Sequence, residues 1–207
     1  MSKECILQSS SPFAAPVLFG NKPGGWLRIC IDHRGINSKA IKNWYTLPLI
    51  KETSHFLRKA RIFTKLDIRG AYNFLRIKAG DEPKLAFWTR YGLYEPTVMQ
   101  FGTTNAPADF QGYINNPIRE ALDDFASAYL DDILIYSDSE EEHVGHGTCI
   151  MQRLLDSGLY LKPEKCEFHK ETVRYLQLII STKGNSMDED KVKTVRNWSG
   201  EKKTENG

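Results

Sequence analysis

The chain reads as an α+β protein, an antiparallel sheet with helices packed on one face. Three observations predict this. Short β-branched and aromatic runs alternate with helical stretches without settling into repeated βαβ units. Phe110, Ile114, Ile118 and Leu122 recur every four residues and mark a helix over 106–123. Apolar runs before and after Asp131-Asp132, Phe125 to Leu130 and Ile133 to Tyr136, read as two strands of a hairpin.

The elements follow in order. Residues 8–25 are an extended stretch ending in Pro23-Gly24-Gly25, a turn signal. Trp26 to Asp32 alternates as a strand, with Val17-Leu18-Phe19 as its hairpin partner. Ile50, Thr53 and Leu57 share one face of a helix over 48–59. Ile62 to Asp67 is the next strand, apolar and β-favouring with a carboxylate at its end. Leu75 to Lys78, Leu85 to Thr89 and Tyr94 to Met99 predict further strands, the first two separated by a turn at Gly80-Asp81-Glu82-Pro83.

Asn105 and Pro107 are start signals for the 106–123 helix, and Pro117 inside it should kink or break it, at about 3 kcal/mol. Ser139 and Glu142 form a capping box for another helix that Gly158 ends. Gly145 and Gly147 each cost that helix roughly 1 kcal/mol relative to Ala. Thr172 to Ser181 predicts one long strand, Asp188 to Trp198 a short closing helix, and 199–207 a polar, disordered tail.

With 207 residues, the chain has room for one large domain or a compact domain with a small lobe. Its 41% hydrophobic and 26% charged residues are ordinary for a folded chain. No run of eighteen apolar residues exists to span a membrane. The start, Met1 to Cys5, lacks an apolar core behind a basic end, so no signal peptide is expected. Cys5, Cys30, Cys149 and Cys166 are dispersed, which suits reduced thiols and a chain that is not secreted.

The net charge of +2 hides an asymmetry. Residues 1–65 hold eleven Lys and Arg against three acids, whereas residues 120–142 hold nine acids and no Lys or Arg. A basic lobe facing an acidic centre suits a polyphosphate substrate plus metal ions; two solvated faces of opposite sign explain the counts equally well.

Asp131-Asp132 is a poor choice for a tight hairpin turn, which favours Asn-Gly or Asp-Gly. Two carboxylates there suit either an ordinary acidic turn or a site for a hard cation such as Mg²⁺. If the strand ending in Asp67 neighbours this hairpin, three carboxylates converge and need a cation to stay ionised together. Two ions about 4 Å apart would neutralise them and support in-line displacement at phosphorus. A separate set, His143-x-x-His146 and Cys166-x-x-His169, has the donors for zinc, though the first pair equally suits a solvated helix face.

Several stretches, taken together, carry a resemblance. They are Ser10-Ser11-Pro12, Leu27 to Arg34, Phe63 to Tyr72, Phe101-Gly102, Thr104 to Pro107, Tyr129 to Leu134 and Leu159 to Lys162. In this order and spacing the chain resembles the reverse transcriptases of gypsy-type long-terminal-repeat retrotransposons over about residues 6–198.

The resemblance implies a fingers–palm core, with residues 1–60 as partial fingers and 61–198 as palm carrying a fingers insertion near 75–100. It implies RNA-directed DNA polymerase activity by two-metal nucleotidyl transfer of dNTPs onto a primer on an RNA or DNA template. Asp67 and Asp131 would ligate two Mg²⁺ (Mn²⁺ as substitute), with Asp132 a less direct third carboxylate. Tyr72 would exclude a ribose 2′-hydroxyl, its other reading being a plain core aromatic. Lys22 and Arg28 would hold the triphosphate, and Phe101 and Gly102 would shape the pocket floor.

Lys162 and Lys165 are both candidates for proton donor to pyrophosphate. The expected location is the cytoplasm, in a virus-like particle, or the nucleus. The chain departs from the family at Trp88 for Arg, Gln100 for Pro, Thr103 for Leu and Gln177 for Gly, and Pro117, Gly145 and Gly147 replace helix-favouring residues. The family's thumb and RNase H regions are not expected within this stretch, and a partner chain is one way to supply them. An inactive nucleic-acid-binding remnant is the alternative reading.

Overall fold

A computed structural model describes residues 5–21, 27–46, 57, 59–182, 184–187 and 193. The helices expected over 48–59 and 188–198, and the tail 199–207, lie outside the described residues apart from isolated positions.

In chain order the elements are β1 (Ile6–Gln8), β2 (Ala15–Asn21), β3 (Leu27–Ile31), α1 (Arg34–Asn37), β4 (Ile62–Asp67), β5 (Phe87–Thr89) and β6 (Gly92–Pro96). There follow α2 (Ala106–Asn115), β7 (Ala126–Tyr129), β8 (Asp132–Ser137), α3 (Glu140–Asp156), β9 (Glu167–Lys170), β10 (Thr172–Tyr175), β11 (Leu178–Ser181) and β12 (Gly184–Met187). They build a five-stranded sheet ordered β1-β6-β5-β2-β3, a four-stranded sheet ordered β7-β8-β4-β9 and a three-stranded meander, β10-β11-β12. The pairing is antiparallel except between β2 and β5, where Ala15 lies opposite Phe87 in parallel.

The four-stranded sheet carries the core. Strand alternation sends Leu66, Ile133, Ile135, Ala126 and Ala128 to one face, where Phe110 and Ile114 of α2 and Ile150 and Leu154 of α3 cover them. Phe63, Leu134 and Tyr136 point the other way, onto Val173, Tyr175 and Ile180 of the meander. Helices therefore do sit on one face, and the face left open by the sequence reading is covered by strands. Burial on both sides explains why β8 reads as a continuous apolar run.

Four sequence expectations need correction. The helix from 106 stops at Asn115, because Pro117 cannot continue its hydrogen-bond ladder; Ile118 is nevertheless fully buried, just before a short 3₁₀ segment (Arg119–Ala121). Leu75 to Lys78 forms no strand, only a bridge between Arg76 and Val98. The hairpin turn falls one residue early, on Leu130-Asp131, with Asp132 already in β8 opposite Tyr129. Leu130, not a carboxylate, takes the left-handed backbone, at φ +52°.

The fourth concerns Thr172 to Ser181, which is a hairpin and not one strand. Tyr175 pairs with Leu178 across Leu176 and Gln177, whose φ values are +50° and +68°. Positive φ at both central residues is the geometry that matches strand twist and favours Gly. Replacing Gln177 by Gly should therefore stabilise the chain by about 0.5–1 kcal/mol, read from urea unfolding midpoints.

Helix α3 begins as expected: Ser139 Oγ accepts from the Glu142 N–H at 3.3 Å, and Gly158 ends it at φ +68°. The helix runs unbroken through Gly145 and Gly147.

Candidate active site

Strand β4 ends at Asp67, directly opposite Asp132, the first residue of β8. The Ile68 N–H, one residue on, donates to the Asp131 carbonyl at 2.8 Å. These two links bring the three sequence-predicted carboxylates to one end of the sheet. Register decides this: with Phe63 opposite Tyr136, a six-residue strand delivers Asp67 to the hairpin tip.

Lysines surround the acids. Lys162 Nζ lies 2.6 Å from Asp67 Oδ1, and the Lys162 N–H donates to the Asp67 carbonyl at 2.9 Å. Lys165 Nζ is 3.9 Å from Asp67 Oδ2, and Lys65 Nζ is 3.5 Å from Asp132 Oδ1. Asp67 is buried; Asp131 and Asp132 are half-buried. Burial raises the Asp132 carboxyl above its ordinary range, and Asp131 and Asp67 add to this while Lys65 opposes it.

Among the described residues, no three His, Cys, Asp or Glu side chains close around a single ion. The donor set still fits a hard divalent cation, since three carboxylates from adjoining backbone positions offer oxygen ligands alone. Their excess negative charge is met here by ammonium groups. Three of the four zinc donors considered from the sequence are engaged elsewhere, and the fourth, His169, meets the His143 ring edge-on at 4.9 Å between centroids. His143 lies between Thr64 Oγ1 (2.7 Å) and Ser137 Oγ (2.9 Å), His146 bonds Ser137 and stacks on Phe125, and Cys166 Sγ contacts the Lys162 carbonyl.

Beside the acids lies an aromatic corner. The Tyr72 ring meets Phe101 edge-on at 4.8 Å and Phe110 at 5.4 Å between centroids. Burial raises the Tyr72 phenol above its usual range, with smaller contributions from Asp131 and Tyr129. Phe101 is exposed, and Gly102 turns the chain at φ +95°. A Cβ on Gly102 would sit 3.6 Å from the Ile31 carbonyl, so the loop rides closely on the end of β3. Arg28 stands on β3 opposite Gly20, with its side chain outside the described residues, as is all of Lys22.

Three supporting residues escaped the sequence reading. Asn37 donates to the Gly102 carbonyl at 2.8 Å and accepts from the Thr104 N–H at 2.9 Å, tying α1 to the Phe101-Gly102 loop. Gln111, fully buried on α2, bonds the Leu130 turn. His33 is 3% exposed beneath Gly102, neither ring nitrogen has a hydrogen-bond partner among the described residues, and burial lowers its pKa. Polar residues on a helix face or strand end carry no sequence signal for a long-range partner.

Replacing His33 by Phe should stabilise the fold by about 1 kcal/mol, because two buried nitrogens without a partner among the described residues are removed at nearly constant shape. Chemical denaturation of the two proteins measures this.

The profile of the family described as Reverse transcriptase (RNA-dependent DNA polymerase) matches residues 21–180. The chain belongs to the reverse transcriptase family.

Among curated relatives of this reverse transcriptase domain, the Transposon Tf2-3 polyprotein of Schizosaccharomyces pombe is 39% identical over 193 residues. The Tf2-7 polyprotein of the same organism is 38% identical. The match spans 93% of this chain and 14% of each relative. The fold also matches the foamy viral protease-reverse transcriptase, in complex with RNA/DNA hybrid (TM-score 0.84, 18% identity, 95% of this chain and 26% of that one). A second form of that protein, with double-stranded DNA, gives a TM-score of 0.86 at 18% identity, over 94% of this chain and 34% of that one. At that identity the likeness shows the fold alone, and the fold is the fingers–palm arrangement. The reverse transcriptase family is one of nucleotidyltransferases.

Proposed function

We propose that this chain is the fingers–palm core of an RNA-directed DNA polymerase of a gypsy-type retrotransposon, adding dNTPs to a primer on an RNA or DNA template. The observation that carries the reading is the register of β4 on β8, which sets Asp67 against Asp132 beside Asp131. Residues 1–60 serve as fingers, and residues 61–198 as palm with the 75–100 stretch returned to the fingers. A cytoplasmic particle or the nucleus is the proposed place of action.

Asp67, Asp131 and Asp132 would hold two Mg²⁺ or Mn²⁺. When bound, these ions supply Lewis-acid activation of the primer hydroxyl and charge neutralisation on the triphosphate. Tyr72, wedged between Phe101 and Phe110, sets the wall against which the sugar packs and excludes a 2′-hydroxyl. Phe101 and Gly102 form the pocket floor, and Lys22 and Arg28 hold the triphosphate. Of the two candidate proton donors, Lys162 is favoured over Lys165, since its ammonium stands at 2.6 Å from Asp67 against 3.9 Å. A proton carrier must lie within hydrogen-bond reach of the reacting groups.

Mg²⁺-dependent extension of a DNA primer on an RNA template tests the reading, with Asp131→Asn as control. Extension by the wild-type chain above that control supports it. No difference between the two leaves a nucleic-acid-binding remnant as the function, detected as salt-sensitive duplex binding that Asp131→Asn does not change.

A further inference from the structure

Gln111 is fully buried on α2, and its side-chain amide faces the backbone of the acidic hairpin. Its Oε1 accepts from the Leu130 N–H at 2.8 Å, and its Nε2 donates to the Ala128 carbonyl at 3.0 Å. The same Nε2 donates to Asn115 Oδ1 at 2.8 Å, and Asn115 in turn donates to the Tyr45 hydroxyl at 3.0 Å. The amide orientation is unambiguous: reversed, it would set donor against the Leu130 donor and acceptor against the Ala128 acceptor.

Leu130 is held at φ +52°, a conformation that costs a branched L-residue and persists only where its surroundings enforce it. Two contacts enforce it here. On one side the Ile68 N–H donates to the Asp131 carbonyl, and on the other Gln111 bridges the residues at either side of Tyr129. Gln111 thus supplies what the turn lacks, a partner for backbone groups that the hairpin ladder leaves open at its tip.

We propose that Gln111 is a positioning residue: by clamping Ala128 and Leu130 from α2 it fixes the left-handed turn that aims the Asp131 and Asp132 carboxylates. The clamp also joins the turn to Tyr45 through Asn115, so the segment that follows α1 and the acidic tip are held as one unit. This inference rests on the proposed metal-binding role of the carboxylates for its functional consequence only.

The test uses the whole chain as wild type, Gln111→Leu, Gln111→Glu and Asp131→Asn. Amide hydrogen exchange is read at Leu130, and Mn²⁺ alone is titrated by its paramagnetic signal. Gln111→Leu should lose Leu130 protection while amides in β4 and α3 keep theirs, and its Mn²⁺ affinity should fall about tenfold, the usual effect of removing a group that orients metal ligands. Gln111→Glu keeps the acceptor for the Leu130 N–H but sets a second acceptor against the Ala128 carbonyl and Asn115 Oδ1, so Leu130 protection should be intermediate between wild type and Gln111→Leu.

Wild-type protection and Mn²⁺ affinity in Gln111→Leu would overturn the proposal. Should Gln111→Leu fail to fold, wild-type Leu130 protection and Mn²⁺ affinity in Gln111→Glu would overturn it instead. Absence of Mn²⁺ binding in the wild-type chain, equal to Asp131→Asn, would sink the metal reading and leave the clamp to be decided by Leu130 exchange.

Discussion

Exchanging Asp67 for Asn is expected to reduce Mg²⁺-dependent primer extension by about a thousandfold or more while leaving the chain folded. Removing one of the carboxylates proposed to hold the ions should forfeit about 4 kcal/mol of transition-state charge stabilisation, and each 1.4 kcal/mol is tenfold in rate. The effect on folding is smaller and of mixed sign. Asp67 loses its 2.6 Å contact with Lys162, a charge-assisted bond in a half-buried setting worth about 1–2 kcal/mol. Against this, Asp132 is relieved of a neighbouring negative charge that helps raise its pKa. Single-turnover extension and urea unfolding of the same two proteins measure the two effects separately. A variant that extends primers within tenfold of wild type would remove Asp67 from the catalytic set.

Acidification from pH 6.5 to 4 is expected to cost the fold about 3 kcal/mol through His143 alone. This ring is 1% exposed and lies between Thr64 and Ser137, and burial, with His169 and His146 nearby, lowers its pKa from 6.5 to about 4. Above pH 6.5 both the folded and the unfolded chain carry a neutral ring, so nothing is lost. As pH falls through the window, the unfolded chain binds a proton that the fold refuses, and stability drops by about 1.4 kcal/mol per unit of pKa difference. Neither neighbouring histidine offsets the penalty, since each adds positive charge when protonated. Urea titrations across that range, for wild type and His143→Gln, isolate the contribution because the carboxylate background is common to both. Equal pH slopes in the two proteins would show that His143 is not the group responsible.

The acid-bearing hairpin and its neighbour strand were legible in the sequence because both are written locally. A β-favouring run with a carboxylate at its end is visible at Ile62–Asp67, and apolar runs around Tyr129 to Asp132 mark the second element. The turn itself was misplaced by one residue, since period-2 alternation says nothing in a run such as Asp132–Ser137 that is buried on both faces. The strand expected over Thr172 to Ser181 split for a related reason. Gln177 at φ +68° gives no Gly or Asn signal, so the turn was invisible until the meander folded onto Phe63 and Tyr136. Helix α2 was found by its stripe yet overextended, because Ile118 continues the burial pattern on non-helical backbone after Pro117 has ended the hydrogen bonding.

By itself the sequence determined which residues are proposed to carry the chemistry: the three acids, Tyr72, Phe101 and Gly102 are recognisable by type and order along the chain. Tertiary structure alone decided how they are held. Register on β8 set Asp67 against Asp132, the loop at Leu159 to Lys162 brought an ammonium onto Asp67, and Gln111 reached from α2 to the Leu130 turn. Those partners lie 19 to 95 residues apart, and a hydrogen bond between distant positions leaves no periodicity for a sequence to display.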